Sequence, residues 1–292
     1  MIDTFKILFH QGKQYIPDVT KAKVPGIFRG RPVISNEKVD LQALVGICPT
    51  GAISEGATTV AGSVGSNCAK SSLPAQTASE GLSIDLGKCL FCGECERCFP
   101  RKIHFTQDYK IATNNRNNLI VREGEDTPIH FDDTLRRPEI SRLFRHSLKL
   151  RQVSAAGDNS CEWELGATGN VNFDMGRFGI EFVASPRHAD GIVITGPISK
   201  NMSRALQICY DAVPAPKIIV LAGTDAISGG IFSCSVAEND HICADMLNND
   251  VCSGSRELDR SFLETHTVDL FLPGNPAHPL TIINGLLELT RF

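Results

Sequence analysis

The chain has 292 residues and a net charge of −4, with 42% hydrophobic and 21% charged residues. This is ordinary globular composition, long enough for two domains at roughly 100–200 residues each, and too weakly charged to argue for nucleic acid or an anionic membrane as a partner. No apolar run approaches the ~20 residues that span a bilayer. The N-terminus lacks a basic segment followed by a long apolar one. No secretory leader is therefore expected, and the protein is placed in the cytosol or on the cytosolic face of something larger. Eleven cysteines are many for that compartment, where disulfides are disfavoured, so a tight group of them points to metal.

Residues 1–110 are rich in Gly, Pro and Ser, with little amphipathic periodicity. Within them, 54–80 reads as a loop or short hairpin. A domain with so thin a core needs a staple, and a metal would serve. Residues 111–150 read as a connector. There, Ile140, Leu143, Phe144 and Leu148 share one predicted helical face, with Arg142, Arg145 and Lys149 opposite. That pattern fits a solvated helix packed on its own protein better than a nucleic-acid helix. Beyond 150 the pattern changes. The runs 179–184, 190–196, 216–223 and 268–274 have strand length and end in turn residues. Ser199 to Asp211 is amphipathic, with Met202, Leu206 and Cys209 or Tyr210 on one face, and Thr281 to Leu289 reads as a closing helix. Strands alternating with helices predict a mainly parallel α/β sheet over 151–292, with function in the loops after the strand C-termini. Residues 233–266 are polar and irregular, an expected insertion.

The chemistry concentrates in Cys89-Leu-Phe-Cys92-Gly-Glu-Cys95, a C-x2-C-x2-C run, and in Cys48, which is followed by Pro49. In two-cluster ferredoxins, three cysteines of such a run hold one iron–sulfur cluster, and a Cys-Pro cysteine reaches across from the other half. Thiolates are soft enough to share charge with iron. Cys48, Cys89, Cys92 and Cys95 therefore make one complete set for a 4Fe-4S cluster. A four-cysteine zinc site is the rival, and a purely structural thiol group stands behind both. The third closely spaced cysteine and the remote Cys-Pro favour iron–sulfur. Cys98 is an off-register spare or a substitute fourth ligand. A second cluster would need cysteines at Lys38, Leu41, Leu44 and Phe99, and none is present. Leu41, Leu44 and Phe99 are expected to fill the vacated space as apolar core. Cys68, Cys161, Cys209, Cys234, Cys243 and Cys252 are scattered. No P-loop, G-x-G-x-x-G or Ser/His/Asp spacing supports a hydrolase, NTPase or NAD-binding reading.

Residues 25–110, from Pro25-Gly-Ile-Phe-Arg-Gly-Arg-Pro through Cys48-Pro-Thr-Gly-Ala-Ile to Cys89-Leu-Phe-Cys-Gly-Glu-Cys, resemble the two-cluster ferredoxin subunit of group 4 membrane-bound nickel–iron hydrogenases and complex I. Residues 142–292 resemble the small subunit of formate-hydrogenlyase-type hydrogenases, which is also the B-type subunit of complex I. The matching stretches are Leu148-Lys-Leu-Arg-Gln-Val, Cys161-Glu-Trp-Glu164, Arg177-Phe-Gly-Ile, Ala184-Ser-Pro-Arg-His-Ala-Asp-Gly, Thr195-Gly-Pro-Ile-Ser-Lys-Asn-Met, Tyr210-Asp-Ala-Val-Pro-Ala-Pro-Lys, Ala226-Ile-Ser-Gly-Gly-Ile-Phe and Leu272-Pro-Gly. The chain thus resembles a fusion of two neighbouring subunits: a ferredoxin-like iron–sulfur domain followed by a flavodoxin-like parallel-sheet domain.

The resemblance implies a place in the peripheral arm of an ion-translocating membrane assembly, on the cytoplasmic face of the inner membrane. The second domain would dock on a hydrogenase-like or complex I-like large subunit. Membrane subunits would be reached only through partners. In that family the second domain carries its own 4Fe-4S cluster, on cysteines of C-x2-C-x2-E, G-x-C-A and P-G-C-P motifs. Here the four positions hold Asp158, Cys161, Asp225 and Asn275, so three thiolates are lost and this cluster is expected to be absent. Three readings remain for the site: a hydrogen-bonded polar pocket; a hard-metal or zinc site on Asp158 and Asp225, with or without Cys161; and an oddly ligated cluster drawing in Cys234, Cys243 or Cys252. Glu164 falls where the family places proton transfer at the large-subunit interface, with an interface hydrogen bond as its alternative. Arg187 and His188 match a loop near the large subunit, where an ion-pair or packing role is expected. Three functions compete: an electron-transfer subunit with a shortened wire, a structural subunit of an assembly without hydrogenase chemistry, and a stand-alone ferredoxin fused to an inactive module.

Overall fold

The computed structural model describes residues 2–12, 15–56, 81–233 and 258–291. Cys68, Cys234, Cys243 and Cys252 lie outside the described residues, as do most of the loop or hairpin expected over 54–80 and most of the insertion expected over 233–266.

After the N-terminal helix α1 (Ile2–Gln11), the first half runs β1 (Pro32–Ile34), α2 (Leu41–Gly46), β2 (Ile53–Glu55), β3 (Leu82–Asp85), α3 (Glu94–Cys98) and β4 (Ile103–Phe105). β1 pairs antiparallel with β4, and β2 with β3, so two β-α-β units interlock strand for strand. β5 (Ile120–Arg122) then adds to the free edge of β3. Helices as short as α2 and α3 do not hold in water alone. α2 is capped by Asp40, whose carboxylate accepts from the Ala43 amide at 3.2 Å, and is anchored by fully buried Leu44. Leu41 and Phe99 pack on the same core, while Lys38 is exposed. Beside them Lys102 is fully buried, its ammonium donating to the Glu37 carbonyl at 2.8 Å and paired with Glu123 at 2.5 Å.

The second half is built on β6 (Leu148–Ser154), β7 (Ile180–Phe182), β8 (Gly191–Thr195), β9 (Ile218–Ala222) and β10 (Leu270–Leu272). They form one parallel sheet in the order β10-β9-β8-β6-β7. This is the flavodoxin-like order, with its crevice beyond the C-terminal ends of β6 and β8, where the strand order reverses. The strands are covered on both faces, as parallel strands require. Their period-2 alternation sends residues to two different cores. Ile192, Ile194, Ile219 and Leu221 join Ile34, Leu44, Ile53 and Ile84 of the first half. Val193, Ile218 and Val220 join Val19, Tyr109, Ile140 and the closing helix.

Helices α4 (Pro138–Phe144), α5 (Ser160–Ala167), α6 (Lys200–Ala212), α7 (Thr224–Ser228), α8 (Ser261–Thr265) and α9 (Pro279–Arg291) complete the described elements. α9 is apolar nearly all round and is correspondingly buried on most faces. The Tyr109 hydroxyl donates to the Val19 carbonyl, and the Asn284 amide donates to the same oxygen, both at 2.9 Å. The N-terminal strap is thereby tied over α9.

One expectation changes. The helical face drawn through Leu148 ends at Phe144, and Leu148 opens β6. After Ser147 the buried residues follow the two-residue period of a strand, Leu148 and Leu150, and the Leu148 amide donates to Gly179 at 2.9 Å. Leu143 is half exposed (49%), while Ile140 and Phe144 carry the packing. Among the described residues, no helix is long and apolar enough to cross a membrane.

Candidate metal centre

Cys48, Cys89, Cys92 and Cys95 line one cavity, about 350 Å³ measured out to open solvent, walled by Ile47, Ala52, Ile53, Ile84 and Phe105. They arrive from two separate segments. Cys48 follows α2. Cys89 and Cys92 lie on the loop after β3, and Cys95 sits on the first turn of α3. That loop turns tightly because Phe91 and Gly93 both adopt left-handed backbone, at φ 53° and 76°. A Cβ at Gly93 would run into the guanidinium of Arg29. The turn into Cys89 is fixed by Asp85. Its carbonyl accepts from the Lys88 and Cys89 amides at 3.0 Å, its carboxylate accepts from Gly87 at 2.9 Å, and Arg116 grips it through two bonds at 2.7 and 2.6 Å. The Thr50 hydroxyl donates to the Lys88 carbonyl at 2.7 Å, joining the Cys48 loop to the Cys89 loop.

Burial drives the Cys89 thiol far above the ordinary range and pushes Cys95 up to about 11, with the neighbouring thiols adding to both. The Phe91 amide works in the opposite direction, donating to the Cys89 sulfur at 3.3 Å. The Ala52 amide donates to the Cys48 sulfur at 3.2 Å. Four convergent thiols with N–H donors and apolar walls suit a group that supplies its own cationic charge, since a coordinating thiol is deprotonated outright. Among the described residues, no three His, Cys, Asp or Glu side chains stand close enough to share a single ion. Four cysteines lining one cavity would suit the corners of a multi-atom cluster; a single zinc at ~2.3 Å from each sulfur is the alternative. Cys98 is exposed, 3.8 Å from Glu94, and does not line the cavity.

The second set lies at the C-terminal ends of the parallel strands. Cys161 is buried on α5, its sulfur packed against the Cα of Gly223, and burial pushes its thiol up to about 12. Asp225 is buried on α7, against Gly230. Its Oδ1 has no hydrogen-bond partner, and burial raises the carboxyl to about 6, with Asp158 and Glu162 adding to the rise. Asp158 is exposed and turned to its own loop, accepting from the Ser160 amide at 2.9 Å and hydroxyl at 2.6 Å. Those two bonds hold its pKa below the ordinary value. Asn275 precedes a cis proline and lines an open groove between the two halves, together with Glu164, Arg29, Phe28, Phe91 and His278. One thiol with two carboxyls and an amide is a harder donor set than the thiolates a cubane takes.

Glu164 is half-buried in that groove, where desolvation raises its pKa. His278 is held between Phe28 and Phe173, its Nδ1 accepting from the Leu280 amide at 3.2 Å. Arg187 and His188 are exposed on a short turn. Sequence reasoning missed Thr50, Asp85, Arg116, Glu162 and Thr224. Glu162 sits at the sheet's switch point, accepting from Ser154 at 2.6 Å and Thr195 at 2.7 Å. The only sequence signal was local: Asp85-Leu-Gly87 marks a turn.

The strand order and the strand-end site define a doubly wound α/β domain. Residues 159–289 match the family described as the NADH ubiquinone oxidoreductase, 20 Kd subunit. The B-type subunit of NADH-quinone oxidoreductase from Citrifermentans bemidjiense is 36% identical over 129 residues, which are 44% of this chain and 64% of that one. The same subunit from Clostridium beijerinckii is 31% identical over 189 residues, 64% of this chain and 91% of its own length. A probable membrane-bound hydrogenase subunit, mbhJ, of Pyrococcus furiosus is 30% identical over 149 residues, 51% and 77% of the two chains. The chain belongs to this 20 kDa subunit family. Its match spans less than two thirds of the Citrifermentans relative.

Proposed function

We propose that the chain is the iron–sulfur subunit of the peripheral arm of a membrane-bound, hydrogenase-like or complex I-like assembly. It would carry one 4Fe-4S cluster and dock on a large catalytic-type subunit. The observation that carries this reading is the convergence of Cys48, Cys89, Cys92 and Cys95 on one apolar cavity. The β1–β4 and β2–β3 pairing of two β-α-β units supports a ferredoxin-like first unit. The cluster would supply one-electron transfer. The chain's own residues hold its corners, aim amide N–H groups at two of the sulfurs and exclude water on the Ile53, Ile84 and Phe105 side.

The division into a cluster-bearing unit (1–110), a connector (111–150) and an α/β unit (151–292) goes with this reading. Ile120–Arg122 is hydrogen-bonded to the first unit and Leu148–Leu150 to the last. Docking is supported by exposed apolar side chains about the groove: Ile27, on its lining, is 88% exposed, and Trp163, beside Glu164, is 75% exposed. Glu164, half-buried there, is the candidate for proton transfer at that interface. The name of one relative, a probable membrane-bound hydrogenase subunit, supports an assembly at a membrane; this chain would sit on its cytoplasmic face and reach the bilayer through other subunits.

A second reading, a structural subunit without redox work, is favoured by the substitutions at Asp158, Asp225 and Asn275, which leave no second cluster to pass an electron onward. Anaerobic iron and sulfide analysis, with EPR of the dithionite-reduced protein, separates the outcomes. About four irons per chain and one reducible signal, lost in Cys92→Ser, supports the first reading. Four irons that no reductant of the assembly reduces supports the second. About eight irons, half surviving Cys92→Ser, overturns the single-cluster assignment.

A further inference from the structure

Thr224 is fully buried at the turn that ends β9, yet its hydroxyl reaches into the other half of the molecule. Its Oγ1 lies 2.8 Å from the carbonyl oxygen of Cys89, 135 residues away, and 3.2 Å from that of Gly274. A hydroxyl has one proton to give, and the shorter contact is the better bond. Among the described residues, the other hydrogen bonds of Cys89 come from its own loop. Its amide donates to Asp85 at 3.0 Å, and its sulfur accepts from Phe91 at 3.3 Å. The start of that loop is locked by the Arg116–Asp85 pair. Without Thr224, the carbonyl of the most deeply buried of the four cysteines would have no donor from the second half.

We propose that Thr224 is a positioning residue for the cluster: through it, the α/β half fixes the Cys89 corner of the site in the first half. The proposal rests on the four-cysteine reading above. A carbonyl left buried without a donor drives its loop toward water. Looser groups around a cluster weaken its retention, and changed solvent exposure shifts its reduction potential. The strand-end turn, stripped of the thiolates that the family places there, would then still act on a cluster, but on its neighbour's.

The test uses the full chain, purified anaerobically, with Thr224→Val as the isosteric variant that lacks the donor and Thr224→Ser as the variant that keeps it. Two properties are measured: the rate at which a chelator strips iron, and the midpoint potential from an EPR-monitored redox titration. Thr224→Val is expected to bind the wild-type amount of iron, lose it roughly ten- to a hundredfold faster, and show a displaced potential. Thr224→Ser should restore both. Wild-type rate and potential in Thr224→Val would overturn the proposal. So would a change that serine fails to restore, which assigns the effect to packing. If Thr224→Val and Thr224→Ala both fail to fold, Thr224 is a core residue and the proposal also falls. A wild-type chain without iron would instead overturn the cluster assignment, whatever Thr224 does.

Discussion

The four-thiol cavity and the strand-end site sit on either side of Thr224, and they differ in how their side chains are supported. In the first, four thiols from two segments face one cavity, and burial raises the pKa of Cys89 and Cys95. In the second, three of the four side chains rest against their own backbone surroundings. Cys161 lies on Gly223, Asp225 on Gly230, and Asp158 on Ser160. The first arrangement converges side chains from two segments on one space; the second packs them against backbone. Asp225 is the partial exception, buried with one oxygen unpartnered, and it is where the second site still carries a cost.

The comparison breaks most visibly at the sulfurs. Cys95→Ser is expected to take iron content from about four per chain to near none, while Cys161→Ser leaves it unchanged. Anaerobic iron and sulfide assay of the two variants side by side checks it. Iron lost with Cys161 would put a cluster, or a share of one, at the strand ends. The next effect is on the scaffold. Arg116→Met strands the Asp85 carboxylate, which is only 13% exposed. Breaking a buried pair by removing one partner costs about 3–5 kcal/mol. Denaturant unfolding of the metal-free protein measures this, and a loss below about 1 kcal/mol would show that Asp85 finds water or another donor.

Those two predictions draw on different kinds of knowledge. The cysteine run, Cys48-Pro49 and the strands at Gly191–Thr195 and Ile218–Ala222 were legible because each signal is local: a spacing, or a short Val/Ile run ended by Gly. The substituted ligand positions were legible only through family resemblance. What could not be read were contacts between residues far apart in sequence, such as Arg116 to Asp85, Thr224 to Cys89 and Asn284 to Val19. No periodicity encodes these, because each residue alone is an ordinary polar side chain in a turn or helix. β6 was misassigned for a related reason. Its Arg151 and Gln152 are half-buried rather than clearly in or out, so the two-residue period is blurred where Leu148 falls in step with the preceding helix.

Asp225→Asn sharpens the contrast through pH. Burial raises the Asp225 carboxyl from an unfolded-state value near 3.8 to about 6. The folded chain therefore binds more protons than the unfolded chain between those values. The stabilisation is fully present below about pH 4 and is lost as pH rises through about 6. At pH 7 the ionised carboxylate costs about 2–3 kcal/mol, since each tenfold change in proton affinity is worth about 1.36 kcal/mol. Asn cannot ionise, so the variant should match the wild type near pH 4 and exceed it by that amount at pH 7. Asp269, which burial also raises to about 6, titrates in both proteins and cancels in the difference. Equal stabilities across the range would mean that the carboxylate is satisfied by a bound cation or water.

The smallest effect expected is the one that identifies the fourth ligand. Cys98 lies three residues beyond Cys95 on the same short helix, a spacing that brings side chains near one another. Sequence alone leaves it able to replace Cys48. The fold separates the two. Cys48 lines the cavity and accepts the Ala52 amide, while Cys98 is exposed beside Glu94. A surface thiol away from the site contributes within about 0.5 kcal/mol, so Cys98→Ser should leave stability, iron content and the EPR signal as they are. Cys48→Ser should remove or convert the cluster. The reverse pattern would require α3 to turn Cys98 inward on loading, carrying Cys95 away from Ile84 and Phe105. Because α3 is anchored at its start by left-handed Gly93 and at its end by the Phe99 amide bonded to Cys95 at 2.9 Å, that turn would break the helix it depends on.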